Sequence, residues 1–270
     1  MTLLPPRPVL AIVLRYFYLL RGTPARWMPI FAWVAIDMVL WGYITKYLNT
    51  LVHSGGSFVP TLLGAVLFFD FFTRVIFGVT GVFLEDVWSR SFLNLFASPL
   101  TVSQYLIGLV VSGLVTSVMG LAVMIALATA LFGLPFFSYG LMIAPFLLIL
   151  FVFGVALGIA ASAIVLRLGP SAEWFIWPVP AVVSPVAGVF YPISNLPVWL
   201  QWIGELLPPS YVFEGLRTIV AGGAVPWTAL ALSGGLALVY LVLACWLFQR
   251  VFRHAVRTGI LARYSAETVG

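Results

Sequence analysis

Residues Ser184–Arg217 read SPVAGVFYPISNLPVWLQWIGELLPPSYVFEGLR. The run leaves a proline-broken apolar helix near Phe190 and passes through Pro192 and Pro197. Val198 to Leu207 is a short amphipathic piece; Pro208 and Pro209 break it, and a second piece starts near Ser210. Apolar segments able to cross a bilayer lie on both sides. The stretch therefore belongs at membrane depth on one face, where broken helix persists only if neighbouring protein or a watery cavity satisfies its backbone. Residues 190–222 are thus expected to form an external re-entrant helical hairpin in an all-α integral membrane protein.

Composition agrees. Hydrophobic residues make up 63% of the 270 and charged residues only 8%, against about 25% charged in a soluble domain. A water-facing surface cannot be built from so few charges. The net charge of +5 is no nucleic-acid footprint, because the arginines sit at the ends of apolar runs, where cytoplasmic basic residues set orientation. Cys245 is the one cysteine, which excludes an internal disulfide and a thiolate metal cluster. The start MTLLPPRP lacks the basic-then-apolar order of a signal peptide.

Working outward, the spacing predicts an N-terminal interfacial helix within residues 1–26, with Val9, Leu10, Val13, Phe17 and Leu20 on one face and Arg7, Arg15 and Arg21 around them. Six spans follow: about Met28–Leu48, Phe58–Leu84, Gln104–Leu131, Leu141–Leu166, Ala172–Val189 and Trp227–Phe248. The fifth holds Pro178, Pro180 and Pro185 and is expected to be kinked or unwound. Gly154, Gly158 and Ala161 give the fourth a small-residue face, which lets membrane helices approach closely. Between spans two and three, Trp88, Phe92, Leu95 and Phe96 recur at helical period beside Glu85, Asp86 and Arg90. A short amphipathic helix over 85–99, stopped by Pro99, is expected there. Residues 249–270 form a tail with Arg250, Arg253, Arg257 and Arg263. Arginines in the even-numbered connections and at both ends place both termini in the cytoplasm.

Few residues are left for chemistry. A phosphate-binding loop needs a glycine-rich turn ending in Lys-Ser/Thr, and the one lysine, Lys46, has no such turn before it and Tyr47 after it. This chain therefore binds no nucleotide and is not an enzyme; no cofactor or metal is expected in it. His53 and His254 fall on opposite sides of the membrane, so they cannot share a hydrolytic site. Asp37 lies mid-span in the first helix, with Asp70 and Arg74 one turn apart in the second. Charges at that depth cost several kcal/mol unless paired. They either lock the first two helices together or line a substrate path or gate; Asp70 and Arg74 are placed to pair, and Asp37 needs a partner from another helix or subunit. Glu214 and Arg217, three apart, are expected to pair, with Glu205 nearby on the same external stretch. Trp199 and Trp202 read as interfacial anchors.

Two blocks carry a family resemblance. Pro185, Gly188, Phe190, Tyr191, Pro192, Leu196, Pro197, Trp199, Pro208, Glu214 and Arg217 resemble the last external region of the ABC-2 family of export permeases. Glu85, Leu93, Phe96, Ser98, Pro99 and Leu100 resemble that family's intracellular helix, with Trp88-Ser89-Arg90 in place of the Gly-Thr pair of many members. The resemblance implies a permease subunit of an ABC exporter in a bacterial inner membrane, homodimeric with a second copy. It also implies two copies of a separate ATPase that hold the ATP and Mg. Glu85, Asp86, Trp88, Arg90, Phe92 and Leu95 would contact the ATPase through a coupling helix. Asp37, Asp70 and Arg74 would line the path, and Pro192, Pro197, Glu205, Glu214 and Arg217 would lie in the external lid. The substrate would be amphipathic: a lipid-linked glycan, lipid, drug or peptide. A proton-coupled secondary transporter or a passive channel using Asp37, Asp70 and Arg74 stays open beside this reading.

Overall fold

The computed structural model describes residues 6–22, 28–51, 59–89, 91, 94–95, 98–133 and 142–259. Arg26, His53, Arg90, Phe92, Leu93, Phe96 and Arg263 lie outside them. Among the described residues the regular structure is entirely helical. In chain order the long elements are α1 (Pro6–Gly22), α2 (Met28–Leu51), α3 (Gly64–Trp88), α4 (Val102–Phe132) and α5 (Ala144–Leu168). Three short helices follow, α6 (Pro178–Val186), α7 (Val198–Glu205) and α8 (Pro208–Val220), then the long α9 (Trp227–Thr258).

Among the described residues four stretches are long and apolar enough to cross a membrane: Thr61–Trp88, Val102–Phe132, Ala144–Leu168 and Trp227–Thr258. The chain is thus a multi-pass membrane protein. Two of the six expected spans fall outside this set. The 24 residues of α2 would still reach about 36 Å at 1.5 Å per residue. The expected fifth span is divided into a 3₁₀ turn, Pro170–Phe175, and the nine-residue α6, because prolines deny the backbone its N–H donors.

α3 is the central helix, packed between α4 and α5, with α9 laid along α5 and α1 and α2 against α4. Close approach comes from glycine. A Cβ on Gly154 would lie 2.9 Å from Val75 Cβ, and one on Gly158 2.9 Å from Val79 Cβ. The Thr80 hydroxyl donates to the Gly158 carbonyl at 3.3 Å. The small-residue face read from the sequence therefore seats two β-branched side chains of α3. Thr101 opens α4 with a reciprocal cap: its side chain accepts from the Gln104 N–H at 3.3 Å, and the Gln104 side chain accepts from the Thr101 N–H at 3.0 Å.

Three expected boundaries move. Glu85, Asp86 and Trp88 belong to the last turn of α3, not to a separate helix beginning at 85; no breaker precedes Ser89, so the apolar helix simply continues. The second amphipathic piece of the external stretch begins at Pro208 rather than Ser210, since proline at a helix's first position sacrifices a donor that would be orphaned anyway. Arg250, Arg253 and Arg257 stand on α9 itself rather than on a separate tail from 249; the helix runs until Gly259 adopts φ 72°.

Candidate functional site

The three intramembrane charges meet. Asp37 of α2 and Asp70 and Arg74 of α3 line one cavity of about 470 Å³, together with Thr73 and Thr116. Arg74 attracts both carboxylates, and the carboxylates repel each other. Arg74 thus lies within electrostatic reach of Asp37 in the same chain. Gly120 of α4 makes room for it: a Cβ there would lie 2.9 Å from Arg74 Cδ. Asp70 Oδ2 and Thr73 Oγ1 are buried with no hydrogen-bond partner among the described residues.

Aromatic rings complete the wall: Tyr16 from α1, Trp33 from α2, Phe77 from α3 and Trp177 just before α6. Phe77 and Trp177 are in ring contact at 4.9 Å between centroids. Trp33 and Trp177 are largely exposed, so the cavity opens on that side. The sequence reading passed over these four rings. A signal existed for two of them, since Trp33 precedes Asp37 by four residues and Phe77 follows Arg74 by three, which puts each on its charged neighbour's helix face.

A second constellation sits at the end of α3. Asp86 is only 3% exposed. One carboxylate oxygen pairs with Arg15 of α1, and the other accepts the Tyr105 hydroxyl of α4 at 2.8 Å. Arg15 Nη2 also donates to Ser91 Oγ at 2.8 Å. Asp86 is thus engaged within the chain by α1 and α4. Trp88 is 53% exposed, and its indole donates to Glu173 at 3.1 Å. Glu85 and Leu95 are half-buried.

The third constellation holds the proline-rich stretch together. Arg217 pairs with Glu214 at 3.2 Å, as expected from their spacing. The guanidinium reaches further: Nη2 donates to the carbonyls of Gly188, Val189 (3.1 Å) and Tyr191 (2.8 Å). Glu214 Oε1 accepts the Ile193 N–H at 2.8 Å. Burial pulls the Arg217 guanidinium below its usual value, and Glu214 opposes that shift. One ion pair thus satisfies four backbone groups that the break after α6 leaves exposed. Pro192 and Pro197 stand at extended positions ahead of the turn Ile193–Asn195 and of α7. Glu205 ends α7, and its carbonyl accepts the Tyr211 hydroxyl at 2.8 Å. Phe190 stacks on Trp41 of α2 at 4.9 Å, tying the turn to the helix that carries Asp37.

Among the described residues no group of three or more His, Cys, Asp or Glu could hold a metal ion. Residues 11–221, from α1 to the residue after α8, match the family described as ABC-2 type transporter. No curated protein matches the chain.

Proposed function

The chain belongs to the ABC-2 type transporter family, and from that premise we propose that it is the permease subunit of an ATP-driven exporter of an amphipathic substrate. Two copies form the path in a bacterial inner membrane, with both termini cytoplasmic. Two copies of a separate ATPase bind ATP and Mg on the cytoplasmic side. The observation that supports this reading is the extent of the match, which takes in both the charged cavity and the Arg217-held turn.

The geometry offers a route for coupling. The segment from the end of α3 to Pro99 meets the ATPase, with Glu85, Trp88 and Leu95 as its described members and Arg90 and Phe92 between them. Asp86 grips α1 and α4 behind it, so a push there moves three helices together. ATP favours the closed pair of ATPases, and that differential binding biases the permease between inward- and outward-open forms.

The test is affinity purification of the tagged chain from its native membrane. An ABC ATPase in equal amount, lost on Trp88→Ala, is the expected result. Transport by the purified chain alone would instead select the proton-coupled reading, with Asp37 and Asp70 as the relay.

A further inference from the structure

We propose that the cavity between α1, α2, α3 and α4 binds a hydrophobic monocation: an ammonium or delocalised cation carried on an apolar body. This deepens the permease reading and rests on it only in taking the cavity as a place where a solute sits.

Charge sets the sign. Asp37, Asp70 and Arg74 share the cavity, so two carboxyl groups face one guanidinium and the balance of the lining is acidic. An uncompensated charge away from water is costly, and a cation of the solute's own removes the cost. An anion would meet two carboxylates for one guanidinium, and a neutral solute would leave the excess in place.

Hydrogen bonding points the same way. Asp70 Oδ2 and Thr73 Oγ1 are buried without a partner among the described residues, so acceptor capacity stands unused in the residues that line the cavity. The aromatic wall supplies the rest. Tyr16, Trp33, Phe77 and Trp177 line the same cavity, and a desolvated cation is attracted by the negative faces of such rings. The volume of about 470 Å³ falls within the range of roughly 300–1,000 Å³ typical of small-molecule sites.

Tetraphenylphosphonium and tetraphenylborate test this directly, because they share shape and differ in sign. The full chain, purified without any ATPase in dodecyl maltoside, is titrated with each by isothermal calorimetry. The phosphonium is expected to bind saturably and the borate not at all. Asp70→Asn weakens phosphonium binding at least tenfold; should that variant not fold, Asp37→Asn carries the same expectation. Arg74→Gln removes the opposing charge and tightens binding. A purely structural triad would show no such opposite signs. Equal binding of the two ions, unchanged binding in both Asn variants, or weaker binding in a folded Arg74→Gln overturns the proposal. Competition by sphingosine, a single-chain lipid amine that carries one positive charge, assigns the natural source to a lipid headgroup, and its absence to a free amphiphile; either supports the shared chemistry. Because no ATPase is present, a chain that captures no ATPase can still bind the cation. One that assembles fully but does not distinguish the two ions sinks this inference alone.

Discussion

Arg15 of α1 forms an ion pair with Asp86 of α3 across 71 residues of chain. Tyr105 completes it from α4, so the N-terminal helix is keyed to the C-terminal end of α3 by one carboxylate. Asp86 there joins α1, α3 and α4 through one side chain.

Removing that anchor leaves a guanidinium and a phenol without their acceptor. Asp86→Ala is expected to destabilise the protein by about 2–3 kcal/mol, since the partner left behind is only partly shielded from water. Tyr105→Phe costs about 1 kcal/mol. Thermal unfolding in detergent checks the order of the two, and faster labelling of a cysteine placed at Leu14 reports release of α1.

Arg217→Met removes the donor shared by the carbonyls of Gly188, Val189 and Tyr191. Each buried carbonyl left unpaired costs about 1–3 kcal/mol, so this variant is expected to unfold early or to be cut by protease near residues 188–193. Glu214→Gln keeps an oxygen for the Ile193 N–H and is expected to cost about 1 kcal/mol or less. Equal sensitivity of the two variants would show that the ion pair, not the carbonyl clamp, holds the turn.

Two glycines separate close packing from mere helix content. A Cβ on Gly154 meets Val75 Cβ at 2.9 Å, whereas one on Gly81 meets nothing within 4 Å. Gly154→Ala is expected to destabilise by about 1–3 kcal/mol through overpacking against a stiff β-branched side chain. Gly81→Ala is expected to stabilise by up to about 1 kcal/mol from helix propensity. The difference between their melting temperatures is the measurement.

Trp88 is exposed and joined to the protein chiefly through Glu173. Trp88→Ala is expected to shift stability by about 1 kcal/mol or less while lowering ATPase capture at least tenfold. Glu173→Gln retains an acceptor for the indole and leaves capture near wild type. Parallel loss of stability and capture in Trp88→Ala would assign the residue to packing.

Much of this was legible without coordinates. The small-residue face of Gly154 and Gly158, the pairing of Glu214 with Arg217 and the proline-divided stretch before α9 are all local. Spacing along one helix or a missing N–H fixes each. The partners of Asp86 were not legible for the same reason: period along one helix cannot reveal that Arg15 and Tyr105 arrive from elsewhere.

The sequence by itself determined the solvent: with 8% charged residues the chain can satisfy its surface only in lipid. Only the tertiary structure decided which charges share a space. Asp37 joins Asp70 and Arg74 because α2 and α3 both pack against α4, with Gly120 leaving the room that the guanidinium occupies. Helical periodicity orders residues around one axis, whereas the distance between two axes is set by the side chains that meet there.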